Sequence, residues 1–145
     1  MTRSLHRWFL FAFAGLLILG CSSEYPTPEM AEVSGKITYK NKPLPGGTVV
    51  FQTADGKNRG VAPIMADGTY KMKSPLGEVK AAVVTRPPSA ESMSNPEKRP
   101  AVREVHMPSN VDPKTLPPTK YERFETSGLS FTIKQGSNTI DIPLE

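Results

Sequence analysis

The sequence predicts an all-β protein, a seven-stranded β-sandwich standing behind a short N-terminal targeting segment. Three observations predict it. Apolar and polar residues alternate with a period of two in segment after segment, the mark of strands with one buried and one wet face. Turn-forming pairs such as Asp55-Gly56 and Asp67-Gly68 separate those segments at short intervals. The composition adds 15 prolines and 11 glycines to many Val, Ile, Thr and Lys residues, with few long helix-forming runs. At 145 residues the chain has room for one such domain and short appendages.

The strands follow in order. Val33, Gly35, Ile37 and Tyr39 alternate with Ser34, Lys36, Thr38 and Lys40. The turn NKPLPGG at 41–47 leads into TVVFQT at 48–53, and Asp55-Gly56 turns the chain into a less regular strand over 59–65. Beyond Asp67-Gly68, Tyr70 and Met72 face inward against Thr69, Lys71 and Lys73. Pro75-Leu76-Gly77 then introduces Val79, Ala81 and Val83, alternating with Glu78 and Lys80. Near the C-terminus Leu129, Phe131 and Ile133 oppose Ser130, Thr132 and Lys134. After Gly136 a last strand sets Ile140, Ile142 and Leu144 against Thr139, Asp141 and Pro143. Seven strands at this spacing read as a sandwich.

Residues 86–117 break the pattern, with seven prolines, at 87, 88, 96, 100, 108, 113 and 117, and no sustained period. Loops beyond about 12–15 residues without structure of their own are uncommon and are either functional or disordered. The composition predicts a mobile insertion whose removal spares the core, with a partner-binding loop as the sharper alternative. AVREVHM at 101–107 is its one candidate for a brief strand or helical turn.

The N-terminus is organised differently. Arg3, His6 and Arg7 precede the apolar run WFLFAFAGLLILG at 8–20, which at 13 residues falls short of the roughly 17–25 that a spanning helix needs and suits a signal peptide. The chain's one cysteine, Cys21, follows directly. Ile18-Leu19-Gly20-Cys21 resembles the bacterial lipobox, with Leu19 bulkier than is usual at its position. The resemblance implies a diacylglyceryl thioether on the Cys21 sulfur, cleavage before Cys21 and acylation of the new amino group. Two or three acyl chains, at ~0.8 kcal/mol per buried methylene, make a stable anchor where one does not. The organisation expected is therefore a signal peptide over 1–20, a lipidated Cys21 with a tether over 21–32, and the β domain over 33–145 with its proline-rich insertion at about 86–117. The tether carries Pro26 and Pro28 and, at ~3.1 Å per residue if extended, would hold the domain on the order of 30 Å from the lipid. The chain is expected to be exported and lipid-anchored to the envelope membrane. Ser22 is not the Asp of inner-membrane retention, so the outer membrane is favoured over the inner.

The segments VSGKITYKNKPLPGGTVVFQTADG, ADGTYKMKSPLGEVKAAVVT and PTKYERFETSGLSFTIKQGSNTIDIPLE, taken in order, resemble the bacterial carboxypeptidase regulatory-like lipoproteins, relatives of the transthyretin-like and prealbumin-like sandwiches. The resemblance covers most of 33–85 and 118–145. It implies a seven-stranded Greek-key sandwich that serves as an accessory or surface module, and no peptidase residues come with it. The family's Gly and Pro positions, here Gly35, Pro43, Gly46, Gly47, Gly68 and Gly77, read as turn-makers.

The inventory for chemistry is short. Once residues 1–20 are removed the remaining histidine is His106, so any Ser/His/acid triad must use it, and no nucleophile-elbow spacing ties it to Asp112, Glu104 or a serine. Asp55 and Asp67 each precede glycine as turn residues do, without the alternating acids of a calcium loop. No catalysis, metal or cofactor is expected. Setting aside Arg3 and Arg7, 16 basic residues face 14 acidic ones, which does not describe a nucleic-acid footprint. The function expected is protein interaction or envelope scaffolding at a membrane reached through Cys21. The alternative is a glycan-binding surface module, for which the aromatics off core parity are Tyr25, Tyr121 and Phe124, and a hydrolase role ranks last.

Overall fold

The computed structural model describes residues 28–145. The signal peptide, Cys21 and most of the tether, with Tyr25, lie outside the described residues. The predicted segments hold β1 (Met30–Tyr39), β3 (Thr48–Thr53), β4 (Arg59–Pro63), β5 (Thr69–Pro75), β6 (Gly77–Val84), β7 (Leu129–Ile133) and β9 (Ile142–Leu144), the last covering only the end of the strand expected over 139–144 because the chain breaks at 140–141. Two short strands add to them, β2 (Lys42–Pro43) and β8 (Ser137–Thr139), so the described chain holds nine rather than seven.

The strands form two sheets. In the first, β1 pairs with β2 and β5 antiparallel and with β8 and β9 in parallel. The second runs β4-β3-β6-β7, antiparallel throughout. One hydrophobic core joins them, with Val33, Ile37, Tyr70 and Met72 from the first sheet against Val49, Phe51, Ala81 and Val83 from the second. Phe51 is fully buried at its centre, edge-on to Tyr70 with ring centroids 6.2 Å apart and stacked on Phe131 at 5.7 Å. Two sheets across one core are consistent with a β-sandwich, and period-two parity holds in β1, β4, β5 and β7 because each covers that core with one face.

Two glycines show different reasons for lacking a side chain. Gly68 ends the Asp67 turn at φ +82, a conformation that disfavours other residues. Gly35, read from sequence as a turn-maker, lies inside β1 instead. A Cβ there would collide with the carbonyl of Ile140, where the last strand breaks into β8 and β9. Across that break Ile140 N–H donates to Ser34 O at 2.8 Å, and Lys36 N–H donates to Asp141 Oδ1 at 2.8 Å.

The interval 86–117 differs most from expectation. It is not an appendage outside the burial of the domain. It contains α1 (Ala90–Ser94) and 3-10 turns at Pro96–Lys98 and Pro113–Thr115, and it is followed by a third 3-10 turn, Thr119–Glu122, and α2 (Phe124–Ser127). The predicted element over 101–107 is absent; that stretch is irregular and bonded to β3. Gly47 N–H donates to His106 O at 2.6 Å, and the buried Thr48 hydroxyl donates to Glu104 O at 3.1 Å. Arg86 closes the excursion, its Nη1 donating to Pro117 O at 2.8 Å and pairing with Glu122 at 3.0 Å. The third 3-10 turn and α2 pack on β6, where Ser127 Oγ donates to Ala81 O at 2.7 Å. The outer face of the second sheet is covered accordingly: Val50, Ala82 and Val84, which point away from the core, are fully buried.

Candidate functional site

The covering segment builds a groove against the edge of the second sheet. β4 pairs with β3 alone, and its alternation turns Gly60 and Ala62 inward and Arg59, Val61 and Pro63 outward. Residues 96–106 form the facing wall and residues 123–125 an end, enclosing about 740 Å³. The wall is held in place through the backbone bonds to Gly47 and Thr48.

Each charged side chain of the groove has a local reason for its position. Arg59 extends from β4 so that its guanidinium lies 5.6 Å over the Phe124 ring, with Nη1 at 3.5 Å from Ala101 O. Arg99 follows the 3-10 turn Pro96–Lys98 and donates from Nη2 to Met93 O at 3.1 Å. Arg123 is the extended residue that opens α2, and its Nε is 3.8 Å from Glu125. Arg103 is exposed and has no ion-pair partner among the described residues. Four guanidinium groups thus face two carboxylates, Glu104 and Glu125. A second hollow of about 550 Å³ adjoins, sharing Pro100 and Arg123 and adding Arg86, Lys98 and Lys120. All five arginines downstream of Cys21 line one or other hollow, whereas the lysines are scattered over the strands and turns. Guanidinium forks suit bidentate recognition of carboxylates and phosphates in a way that lysine does not.

The residues singled out from sequence fall as follows. His106 is in the groove, half-exposed, with Nε2 3.9 Å from Glu104 Oε1. Neither serine nor cysteine lines that groove, and the Thr48 hydroxyl there donates to the backbone carbonyl of Glu104. Asp112 caps the turn Pro113–Thr115, its Oδ1 accepting from Lys114 N–H at 2.9 Å. Asp55 and Asp67 brace their turns, and the hydroxyls of Thr53 and Thr69 hold both carboxyls below the usual carboxylate range. Among the described residues no three His, Cys, Asp or Glu side chains gather as metal ligands do. Of the aromatics, Tyr121 is buried, its hydroxyl accepting from Glu145 N–H at 3.0 Å, and Phe124 is half-buried beneath Arg59. Cys21 lies outside the described residues, and among those described no helix is long and apolar enough to cross a membrane.

Sequence reasoning passed over the groove arginines. The signal was their segregation: three of the five, Arg86, Arg99 and Arg103, lie in the interval 86–117 set aside as an insertion, and a fourth, Arg123, just beyond it. Comparison with known proteins adds a distant likeness of shape. No protein-family profile matches the chain and no curated protein matches it. Among solved structures it is similar to the crystal structure of a DUF3823 family protein from Parabacteroides merdae ATCC 43184, with 12% identity and a TM-score of 0.41 over 81% of this chain and 47% of that one. The chain therefore spans about half the length of that neighbour.

Proposed function

We propose that the chain is an exported lipoprotein, anchored in the envelope membrane through lipid on Cys21, whose β domain is a non-catalytic interaction module of the Greek-key, carboxypeptidase regulatory-like kind. The outer membrane is its favoured location. The observation that carries the interaction reading is the preformed groove: its wall is bonded to β3 through Gly47 and Thr48, so a partner meets a concave surface already in place and little ordering cost falls on binding. Support for the anchor comes from the 13-residue apolar run ending directly at the chain's one cysteine.

Each half has its own test. Cys21→Ala is expected to abolish metabolic labelling with palmitate and to leave unprocessed precursor still carrying Trp8. Normally processed, acylated protein from that variant would refute the anchor. A photo-crosslinking residue at Val61 in the groove is expected to trap a specific envelope protein in intact cells, and one at Lys71 in the first sheet is not. Equal crosslinking from both positions, or none from Val61, would refute the interaction role.

A further inference from the structure

We infer that the groove between β4 and residues 96–106 takes an extended acidic segment of a protein partner, bound through its carboxylates by Arg59, Arg99, Arg103 and Arg123. This deepens the reading of the domain as an interaction module and rests on it.

Three features of the groove select that chemistry. The first is an excess of positive charge: the arginines downstream of Cys21 converge on this hollow and its neighbour, and Arg103 reaches solvent without an ion-pair partner among the described residues. Charge-assisted, forked hydrogen bonds from guanidinium to carboxylate are about twice as strong as neutral ones. The second is that the arginines come from different walls, Arg59 from β4, Arg99 and Arg103 from the facing wall and Arg123 from the end, and that Glu104 and Glu125 line the same groove. A compact dianion would meet those carboxylates, whereas a chain with spaced acidic side chains can match the arginines and pass the acids. The third is the apolar surface between the charges. Val61 is 53% exposed, and Val102, Pro63 and Pro100 line the same walls, offering contacts to aliphatic side chains that alternate with acidic ones.

The edge of β4 adds hydrogen-bonding capacity. Ile64 N–H donates to Gly47 O and Thr53 N–H to Asn58 O, so the ladder alternation makes Val50↔Val61 and Gln52↔Arg59 the non-bonded pairs. The peptide groups of Arg59 and Val61 accordingly face away from β3, where no strand is hydrogen-bonded to them although β5 packs close by at Lys73 and Ser74.

The test uses the full chain in detergent micelles and a short fluorescein-labelled peptide of alternating glutamate and valine, followed by anisotropy. Saturable binding that weakens with rising salt is expected, with about a tenfold loss of affinity in Arg103→Ala and in Arg99→Ala. The glutamine counterpart of the peptide should bind at least about tenfold more weakly. Lys71→Ala, which removes one positive charge from the first sheet, should leave affinity unchanged. Arg103→Ala should melt with the parent, since its side chain makes no ion pair there. Absence of saturable binding, equal affinity in the arginine variants, or an equal loss in Lys71→Ala would overturn the proposal. So would displacement of the peptide by inorganic phosphate or glycerophosphoglycerol at concentrations below those of the peptide itself, which would assign the groove to phosphate or lipid headgroups. Crosslinking from Val61 in cells without affinity for the acidic peptide would reject this inference and leave the interaction role standing.

Discussion

Around Gly35 a single carbonyl shows how much one residue can settle. Ile140 O lies where a Cβ of Gly35 would be, and it accepts the Tyr70 hydroxyl at 2.8 Å. Burial, and secondarily the charge of Asp141, push the Tyr70 phenol well above its ordinary value. A group harder to ionise in the fold than in the unfolded chain stabilises fully below the unfolded pKa, near 10, and that contribution is lost as pH rises beyond it. The protein is therefore expected to lose stability on alkaline titration above pH ~10, with one tyrosine ionising late by absorbance. Tyr70→Phe should remove the late phase, flatten the alkaline slope and cost about 1 kcal/mol near neutral pH through the lost hydrogen bond. An unchanged tyrosine titration in that variant would refute the assignment. Parity placed Tyr70 inward from sequence, but the need for Gly35 was not legible, because the close approach comes from Ile140, at the break between β8 and β9 more than a hundred residues further on.

Among the elements, β7 tests the register most directly. Phe131 stacks on Phe51 while remaining half-exposed, and Thr132 points to solvent. Phe131→Ala should cost about 2–3 kcal/mol, less than the ~3–5 kcal/mol of a fully buried phenylalanine such as Phe51, and Thr132→Ala should stay within about 0.5 kcal/mol. Denaturant melts in which Thr132 cost more than Phe131 would show the register to be wrong. The short elements between β6 and β7 teach the opposite lesson. Asn95-Pro96 and Asp112-Pro113 are side-chain caps followed by proline at the first helical position, and Ser89 caps α1 through Ser92 N–H. Those are local start signals written in the sequence. They were obscured by the proline count, since proline opens each turn at its first position while Pro100 and Pro117 stop the chain from continuing as helix a few residues later.

For the molecule as a whole, the interval is the deciding piece. Gly47 N–H and the Thr48 hydroxyl, both buried, find their acceptors in His106 O and Glu104 O. Replacing residues 89–112 with a short Gly/Ser linker should therefore destabilise the domain by about 2–4 kcal/mol, as two buried donors lose their partners. The expected readout is a lower melting midpoint together with loss of the groove. Loop closure alone is a small term, about 0.6 kcal/mol per doubling of length, so it would not mask the effect. A melt coincident with the parent would show the interval to be dispensable and the covering of the second sheet to be supplied elsewhere.

The main strands and their inward parity were legible in the sequence alone, because a strand covering one core needs no more than alternation, whereas β2, β8, the break at Ile140 and the need for Gly35 inside β1 were not. Val50, Ala82 and Val84 mark where that logic ends. Their strands become apolar on both faces in the runs TVVF and AAVV, which announces a second covering layer without saying what supplies it. Only the tertiary structure decided that the segment between β6 and β7, with the turn Thr119–Glu122 and α2 seated on β6, supplies that layer, and that Arg59 and the arginines of residues 86–123 share one surface. The physical reason is the same in both cases. Proline-spaced chain carries no periodicity from which a face can be read, and its position is decided by bonds to distant strands, Gly47 and Thr48 above all, that have no signature in the local sequence.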